Sequence, residues 1–305
     1  MSNVGQQLFS GALSGFASTV CLQPFDLLKT RLQQGDGRQQ ARTTGSVLRT
    51  AKDVIASAGV RGLWRGTSAT LVRNVPGIAL YMTSLNQVRT LMATSAYFAT
   101  MRAHDPTKHS SILPTLTSQG NLLAGATTRV TVGFFLNPFS VLKARYESNV
   151  YAYGSLTTAL GSILRSGPSE LLRGFFASSL RDAPYAGLFV VFYEGTKREL
   201  AHAIQPSSQS GSAVLHSVSA ASAGMVATLV THPFDVVKTK IQVRTEDRYR
   251  GFLSTVRTVW TERGINGFFD GASLRLSRKV LSSAIGWAVY EATLKFMHKQ
   301  NQKNS

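Results

Sequence analysis

Three short stretches of this 305-residue chain set charged side chains at helical spacing directly after a proline. They are Pro24-Phe25-Asp26-Leu27-Leu28-Lys29-Thr30-Arg31, Pro138-Phe139-Ser140-Val141-Leu142-Lys143-Ala144-Arg145 and Pro233-Phe234-Asp235-Val236-Val237-Lys238-Thr239-Lys240. Residues i and i+3 share a helix face, so a segment with Asp and Lys at that spacing offers both signs of charge to its neighbours. Proline in a helix interior removes a backbone hydrogen bond and kinks the helix. Three equivalent kinks can therefore turn three charged ends toward one axis. A second set of residues suits a ligand. Arg181 stands beside Asp182, and this pairing matches an α-amino acid, whose carboxylate takes a two-pronged hydrogen bond from the guanidinium while its ammonium donates to the acid. Arg278 and Lys279 can hold the carboxylate end from another segment, and Arg73 with Asn74 can complete such a cavity. The competing reading of Arg73, Arg181 and Arg278 is that each reaches outward from an apolar stem to a wet interface.

Helices with little charge must position these groups. Only 16% of the residues are charged, below the quarter or so usual for soluble domains, and the deficit is acidic: 33 Lys and Arg against 15 Asp and Glu give a net charge of +18. Such an excess favours an anionic partner, whether nucleic acid, a lipid surface or an acidic solute. Six windows lack Asp, Glu, Lys and Arg: 1–25, 74–88, 130–142, 183–193, 203–234 and 280–290. None is an unbroken apolar run of about 20 residues. Ser, Thr, Gly and Asn interrupt them all, as expected of spans that show lipid one face and a watery interior the other. The segments 29–66, 143–174 and 238–271 carry 8, 4 and 7 basic residues, whereas 93–118 and 198–215 carry only Arg102, Lys108 and Arg198. Alternation of that kind places the three basic segments in one compartment and both termini in the other. The single cysteine, Cys21, cannot form an internal disulfide, and residues 1–10 show no basic leader, so any targeting signal is internal.

The proline segments are one part of a longer repeat. After each comes a block ending in an aromatic or Leu, one residue and Gly: Gly62-Leu63-Trp64-Arg65-Gly66, Glu170-Leu171-Leu172-Arg173-Gly174 and Gly267-Phe268-Phe269-Asp270-Gly271. Three tandem units of about 100 residues follow, at 1–100, 101–208 and 209–305, each with two spans. With these motifs the sequence resembles the mitochondrial carrier family from Gly5 to about Met297. The family signature is Pro, any residue, an acid, two residues, a base, one residue and a base; Ser140 departs from it. The resemblance implies an all-α membrane protein: six transmembrane helices in three repeats around a pseudo-threefold axis, a short matrix helix in each, and a place in the inner mitochondrial membrane with both termini toward the intermembrane space. Lys143-Ala144-Arg145-Tyr146-Glu147-Ser148 and Arg181-Asp182-Ala183-Pro184-Tyr185-Ala186-Gly187 resemble the branch of that family that imports glycine for haem synthesis.

The resemblance also assigns roles. Pairing each acid with the base of the next repeat gives a matrix gate of Asp26 with Lys143 and Asp235 with Lys29, and leaves Lys238 without a carboxylate. Gln33 and Gln242 fall where the family places a bracing hydrogen-bond partner, and Glu147 stands there in the second repeat. A cytoplasmic gate follows from Tyr193-Glu194-Gly195-Thr196-Lys197, with partial matches at 85–89 and 290–294: Glu291 pairs with Arg89, Asn86 with Lys197, and Glu194 faces Leu294. Twelve residues before Leu85, Tyr193 and Tyr290 lie Arg73-Asn74, Arg181-Asp182 and Arg278-Lys279, the family's substrate-contact positions. Tyr185, one turn beyond Arg181, and Phe189 beyond it form a wall that limits substrate size. Arg129 is aligned with Gly15 and Gly224, and either faces the cavity or pairs with an acid. Gly11 and Gly15 form a small-xxx-small pair suited to close helix packing.

The expected function is carriage of a small amino acid, glycine, by a monomer surrounded by inner-membrane lipid, cardiolipin included. A larger amino acid is the alternative within the class, and a basic nucleic-acid- or lipid-coating protein the alternative outside it. No cofactor is expected, no nucleic acid partner, no catalytic residues and no metal site: the six histidines and Cys21 form no ligand-spaced cluster, and neither a phosphate loop nor a nucleophile elbow appears.

Overall fold

A computed structural model describes residues 2–35, 43–95, 97–98, 116–151, 153–204 and 209–303. The described residues form eleven α-helices: α1 (Ser2–Gln34), α2 (Thr43–Ala58), α3 (Thr67–Thr94), α4 (Ser118–Glu147), α5 (Leu156–Arg165), α6 (Pro168–Leu171), α7 (Phe175–Ile204), α8 (Gln209–Val230), α9 (His232–Val243), α10 (Phe252–Arg263) and α11 (Ala272–Lys303). Each repeat contributes a long helix carrying the proline motif, a short helix and a second long helix. Pro24 and Pro138 lie inside α1 and α4. In the third repeat the helix breaks at Thr231 and turns by 51° into α9. Among the described residues no single helix is long and apolar enough to cross a membrane on its own; α8 and α9 together pass as one bent pair. That outcome follows from the Ser, Thr and Gly interruptions in the sequence.

Packing runs mainly between repeats. The second long helix of one repeat lies against the first of the next, α3 on α4, α7 on α8 and α11 on α1, so the ring closes within one chain. At the proline end α1, α4 and α9 also touch one another. Small apolar clusters hold the short helices there: Val141 and Leu142 of α4 with Ala159 and Ile163 of α5, and Val237 and Ile241 of α9 with Val259 of α10. Ser155 caps α5, its hydroxyl accepting from the Thr158 amide while the Ser155 amide donates to the Thr158 hydroxyl.

Elsewhere the usual distribution is inverted. Val75, Phe135 and Val191 are about two-thirds exposed on the outside of the bundle, whereas Asp235, Glu147, Lys240, Gln33 and Gln242 are buried at its axis. Gly15 does not support the packing role expected of it. A Cβ built there would meet nothing within 4 Å. The surroundings of Gly11 lie outside what the structure describes.

Candidate functional site

The kinked ends of α1, α4 and α9 bring the charged motif residues together. Lys143 Nζ donates to Asp26 Oδ2 at 2.7 Å, and Lys29 Nζ lies 2.5 Å from Asp235 Oδ2. Lys238, opposite Ser140, has no ion pair or hydrogen bond among the described residues. The bracing groups differ by repeat. Gln33 Nε2 donates to Asp235 Oδ2 at 3.2 Å and to the Asp270 carbonyl, and its Oε1 accepts from Thr239. Glu147 accepts from Gln23 and Thr30 and lies 3.6 Å from Lys143. Gln242 braces no ion pair: its Nε2 donates to the Arg173 carbonyl. The pair it would brace is the one that Ser140 removes, which leaves the amide to a backbone acceptor.

Two further rings surround these pairs. The residue before each proline contacts the carbonyl that precedes the block-ending glycine of its own repeat: Gln23 donates to Arg65, Asn137 to Arg173, and His232 Nε2 lies 3.0 Å from the Asp270 oxygen. The second base of each motif caps the next helix end. Arg31 donates to the Glu147 carbonyl, Arg145 to that of Gln242 and Lys240 to that of Gly35. These carbonyls end their helices without intrahelical donors, and a cation is favoured there by the helix dipole. Arg145 also pairs with Glu170, which Arg173 holds from the other side at 2.7 Å. Burial alone would raise the Glu170 carboxyl; the hydrogen bond from Arg145 and the charge of Arg173 outweigh it and hold it below its ordinary range. Neither ring was foreseen from the sequence, although a polar residue ahead of each proline was the available signal.

The block-ending glycines allow the brace to sit so close. Gly66 and Gly174 have φ of +96° and +73°, and a Cβ at either would fall 2.8 Å from the Cγ of Glu147 or Gln242. A left-handed backbone and a near contact from the neighbouring repeat both call for glycine.

Above the paired floor lies a cavity of about 600 Å3, lined by Arg73, Asn74, Arg129, Arg181, Asp182, Tyr185, Arg278 and Lys279 among others. All eight residues expected at the ligand site therefore share one space. Their pairing differs from the expectation. The Arg181 fork is already engaged: Nε and Nη2 donate to Asp182 at 2.8 and 3.0 Å, and Nη1 donates to Asp235 at 2.8 Å. Its long stem folds back on its neighbour while one terminal nitrogen reaches the floor of the next repeat. Arg278 likewise pairs with Asp26. Arg73 Nε donates to Ser140 Oγ at 2.9 Å. Lys279 Nζ sits 4.0 Å from the Tyr185 ring centre and 3.2 Å from Thr228 Oγ1. Tyr185, Phe189 and Tyr193 stack in sequence at 6.3 and 6.1 Å, extending the expected wall by one ring. Arg129 lines the cavity over Tyr81 at 5.3 Å and has no acid partner among the described residues.

At the other end of the bundle, the expected pairing of Arg89 with Glu291 falls on a side chain outside the described residues. Asn86 is exposed, as is Glu194, and no ion pair joins α3 to α7 there among the described residues. Arg89 Nε is buried and has no hydrogen-bond partner among the described residues. The side chains of Glu291 and Leu294 lie outside the described residues. Ion pairs draw the bundle together at the proline end, so the site is closed beneath.

A family model described as mitochondrial carrier protein matches residues 1–96, 114–203 and 209–301. The chain is 68% identical over 305 residues to a mitochondrial glycine transporter of Laccaria bicolor, covering 97% of this chain and 99% of that protein. Proteins of the same name from Mycosarcoma maydis and Aspergillus fumigatus are 39% and 44% identical, each over 92% of this chain and over 82% and 90% of their own lengths. Three matched stretches, one per repeat, and near full-length identity agree with the threefold arrangement of the site: the chain belongs to the mitochondrial carrier family.

Proposed function

We propose that this protein carries glycine across the inner mitochondrial membrane into the matrix by alternating access, in support of haem synthesis. The observation that carries the reading is a cavity in which Asp182 stands among surplus cations, Arg73, Arg129, Lys238 and Lys279, while its other acids, Asp26, Glu147 and Asp235, belong to a floor sealed by two ion pairs. That balance suits a molecule with one ammonium and one carboxylate. The names of the relatives narrow it to glycine. A dicarboxylate or nucleotide would have little use for Asp182.

In this reading the six long units, with α8 and α9 counted as one, span the bilayer, and 1–100, 101–208 and 209–305 are the carrier repeats. Apolar residues on the outside, such as Phe135 and Val191, meet lipid, cardiolipin included, and the charged axis stays wet. The termini face the intermembrane space and the proline end is the matrix gate, closed here. Ring closure within one chain favours a working monomer. Substrate bound between repeats promotes gate exchange only through its higher affinity for the occluded state.

Uptake of labelled glycine by liposomes containing the purified protein tests the reading, with unlabelled alanine, serine, ornithine and ADP as competitors. Saturable uptake inhibited most by glycine is expected. Stronger inhibition by ornithine or ADP would replace glycine by another substrate.

A further inference from the structure

The second repeat departs from the other two at one position of the charged floor. Ser140 stands where the first and third repeats carry Asp26 and Asp235. The basic residue facing it, Lys238, is 8% exposed, lines the cavity, and among the described residues has neither an ion pair nor a hydrogen bond. Arg73 leans on the same serine with its Nε, and among the described residues no acid pairs with it. Arg181, the cation that would ordinarily be assigned the substrate carboxylate, is engaged by two internal carboxylates. Cationic capacity at the floor therefore lies on the Ser140 side.

The same place has space. A side pocket of about 250 Å3 runs off the cavity, lined by α3, α4, α7 and α9, with Arg73, Asn74, Ser140, Ser178, Asp182 and Lys238 among its polar residues beside Arg129 and Arg181. Ser178 is 8% exposed and its Oγ makes no hydrogen bond among the described residues. A buried hydroxyl left without a partner is costly, and one beside two cations suits an anionic oxygen.

Resting on the glycine reading, we propose that the substrate carboxylate takes the place of the missing third acid, seated between Lys238 and Arg73 against the hydroxyls of Ser140 and Ser178, with the ammonium directed to Asp182. The carboxylate oxygens of Asp182 each accept one bond from Arg181 and retain a lone pair for the ammonium. Substrate then completes the third side of the ion-pair floor, and Lys238 loses its counter-ion whenever substrate leaves. The serine follows from this role. A permanent acid at 140 would hold Lys238 itself and exclude the travelling carboxylate.

The test compares Ser140→Asp with Ser140→Asn, which match in size and differ in charge, in liposomes loaded with equal amounts of folded protein. Ser140→Asp should lower glycine uptake at least tenfold more than Ser140→Asn does. Equal losses would mean that bulk alone is responsible and would overturn the seat. Lys238→Gln, which leaves the serine in place, should raise the glycine concentration for half-maximal uptake at least tenfold; an unchanged value would likewise overturn it. Wild-type liposomes run alongside separate the two claims: no glycine uptake by wild type sinks the transport reading, whereas normal wild-type uptake with indistinguishable Asp and Asn variants sinks only the carboxylate seat.

Discussion

Replacing Lys143 by Glu would set a third acid beside Asp26 and Glu147 in a buried site. Removing one partner of a buried pair costs about 3–5 kcal/mol because the other charge is left uncompensated. Glycine uptake should therefore fall at least tenfold, by the rate equivalence of about 1.4 kcal/mol per decade. Adding Asp26→Lys restores opposite signs and should recover part of the loss, but not all, since Arg278 would then face a lysine where it now holds Asp26. Uptake by the single and double variants decides this, and a double variant no better than the single would count against the pairing. Asp182→Asn and Arg181→Ala separate in a different way. The first leaves Arg181 on Asp235 and should reduce uptake about tenfold while thermal stability stays near wild type. The second strips a guanidinium from two acids and should lower the unfolding midpoint as well. Normal glycine uptake by Asp182→Asn would show that the acid does not hold the ammonium. These residues were legible in the sequence because a repeat fixes register: one motif in phase three times says which base meets which acid. The engagement of the Arg181 fork was not legible. Neighbouring residues on a helix point apart, and only the fold brings Asp235 within reach of the same guanidinium.

The elements depend on contacts that leave little trace in sequence. Gln23, Asn137 and His232 share a position before proline but not a side chain, and their acceptors are backbone carbonyls, which every residue has. The same holds for Arg31, Arg145 and Lys240 at the helix ends. The block-ending glycines are visible in sequence, yet their partners are not, because Gly66 meets Glu147 and Gly174 meets Gln242 across a repeat boundary. This distinction can be measured. Gly271 has φ of +74° but its added Cβ would lie 3.5 Å from the nearest atom, an ordinary contact, whereas at Gly174 the distance is 2.8 Å. Gly271→Ala should cost only the left-handed backbone, roughly 1–2 kcal/mol. Gly174→Ala adds a displacement of Gln242 and should cost about 1–3 kcal/mol more. Thermal unfolding of the purified variants in detergent should rank Gly174→Ala below Gly271→Ala, and the reverse order would show that the brace is free to move aside.

At the scale of the whole molecule, the structure gathers three helix ends onto two ion pairs at one end of the bundle. Three helices converge where their prolines turn them inward, and the cavity opens away from that point. A carrier in this form should admit a reagent to its cavity from one side only. Cys21 is the chain's single cysteine and is exposed, so Cys21→Ser provides a background without reactive thiols. In it, Ser283→Cys places a thiol in the cavity lining on α11, and Asn149→Cys places one beyond the paired floor, just past the end of α4. A membrane-impermeant thiol reagent should modify position 283 in mitoplasts, where the intermembrane-space face is exposed, and position 149 in inverted inner-membrane vesicles. Substrate changes the balance only as far as it binds one form better than another, so saturating glycine should slow modification at 283 without exposing it fully to the opposite side. Equal labelling of position 283 from both faces would mean that the ion pairs do not close the floor, and labelling of 149 in mitoplasts with 283 in inverted vesicles would reverse the orientation derived from the basic segments.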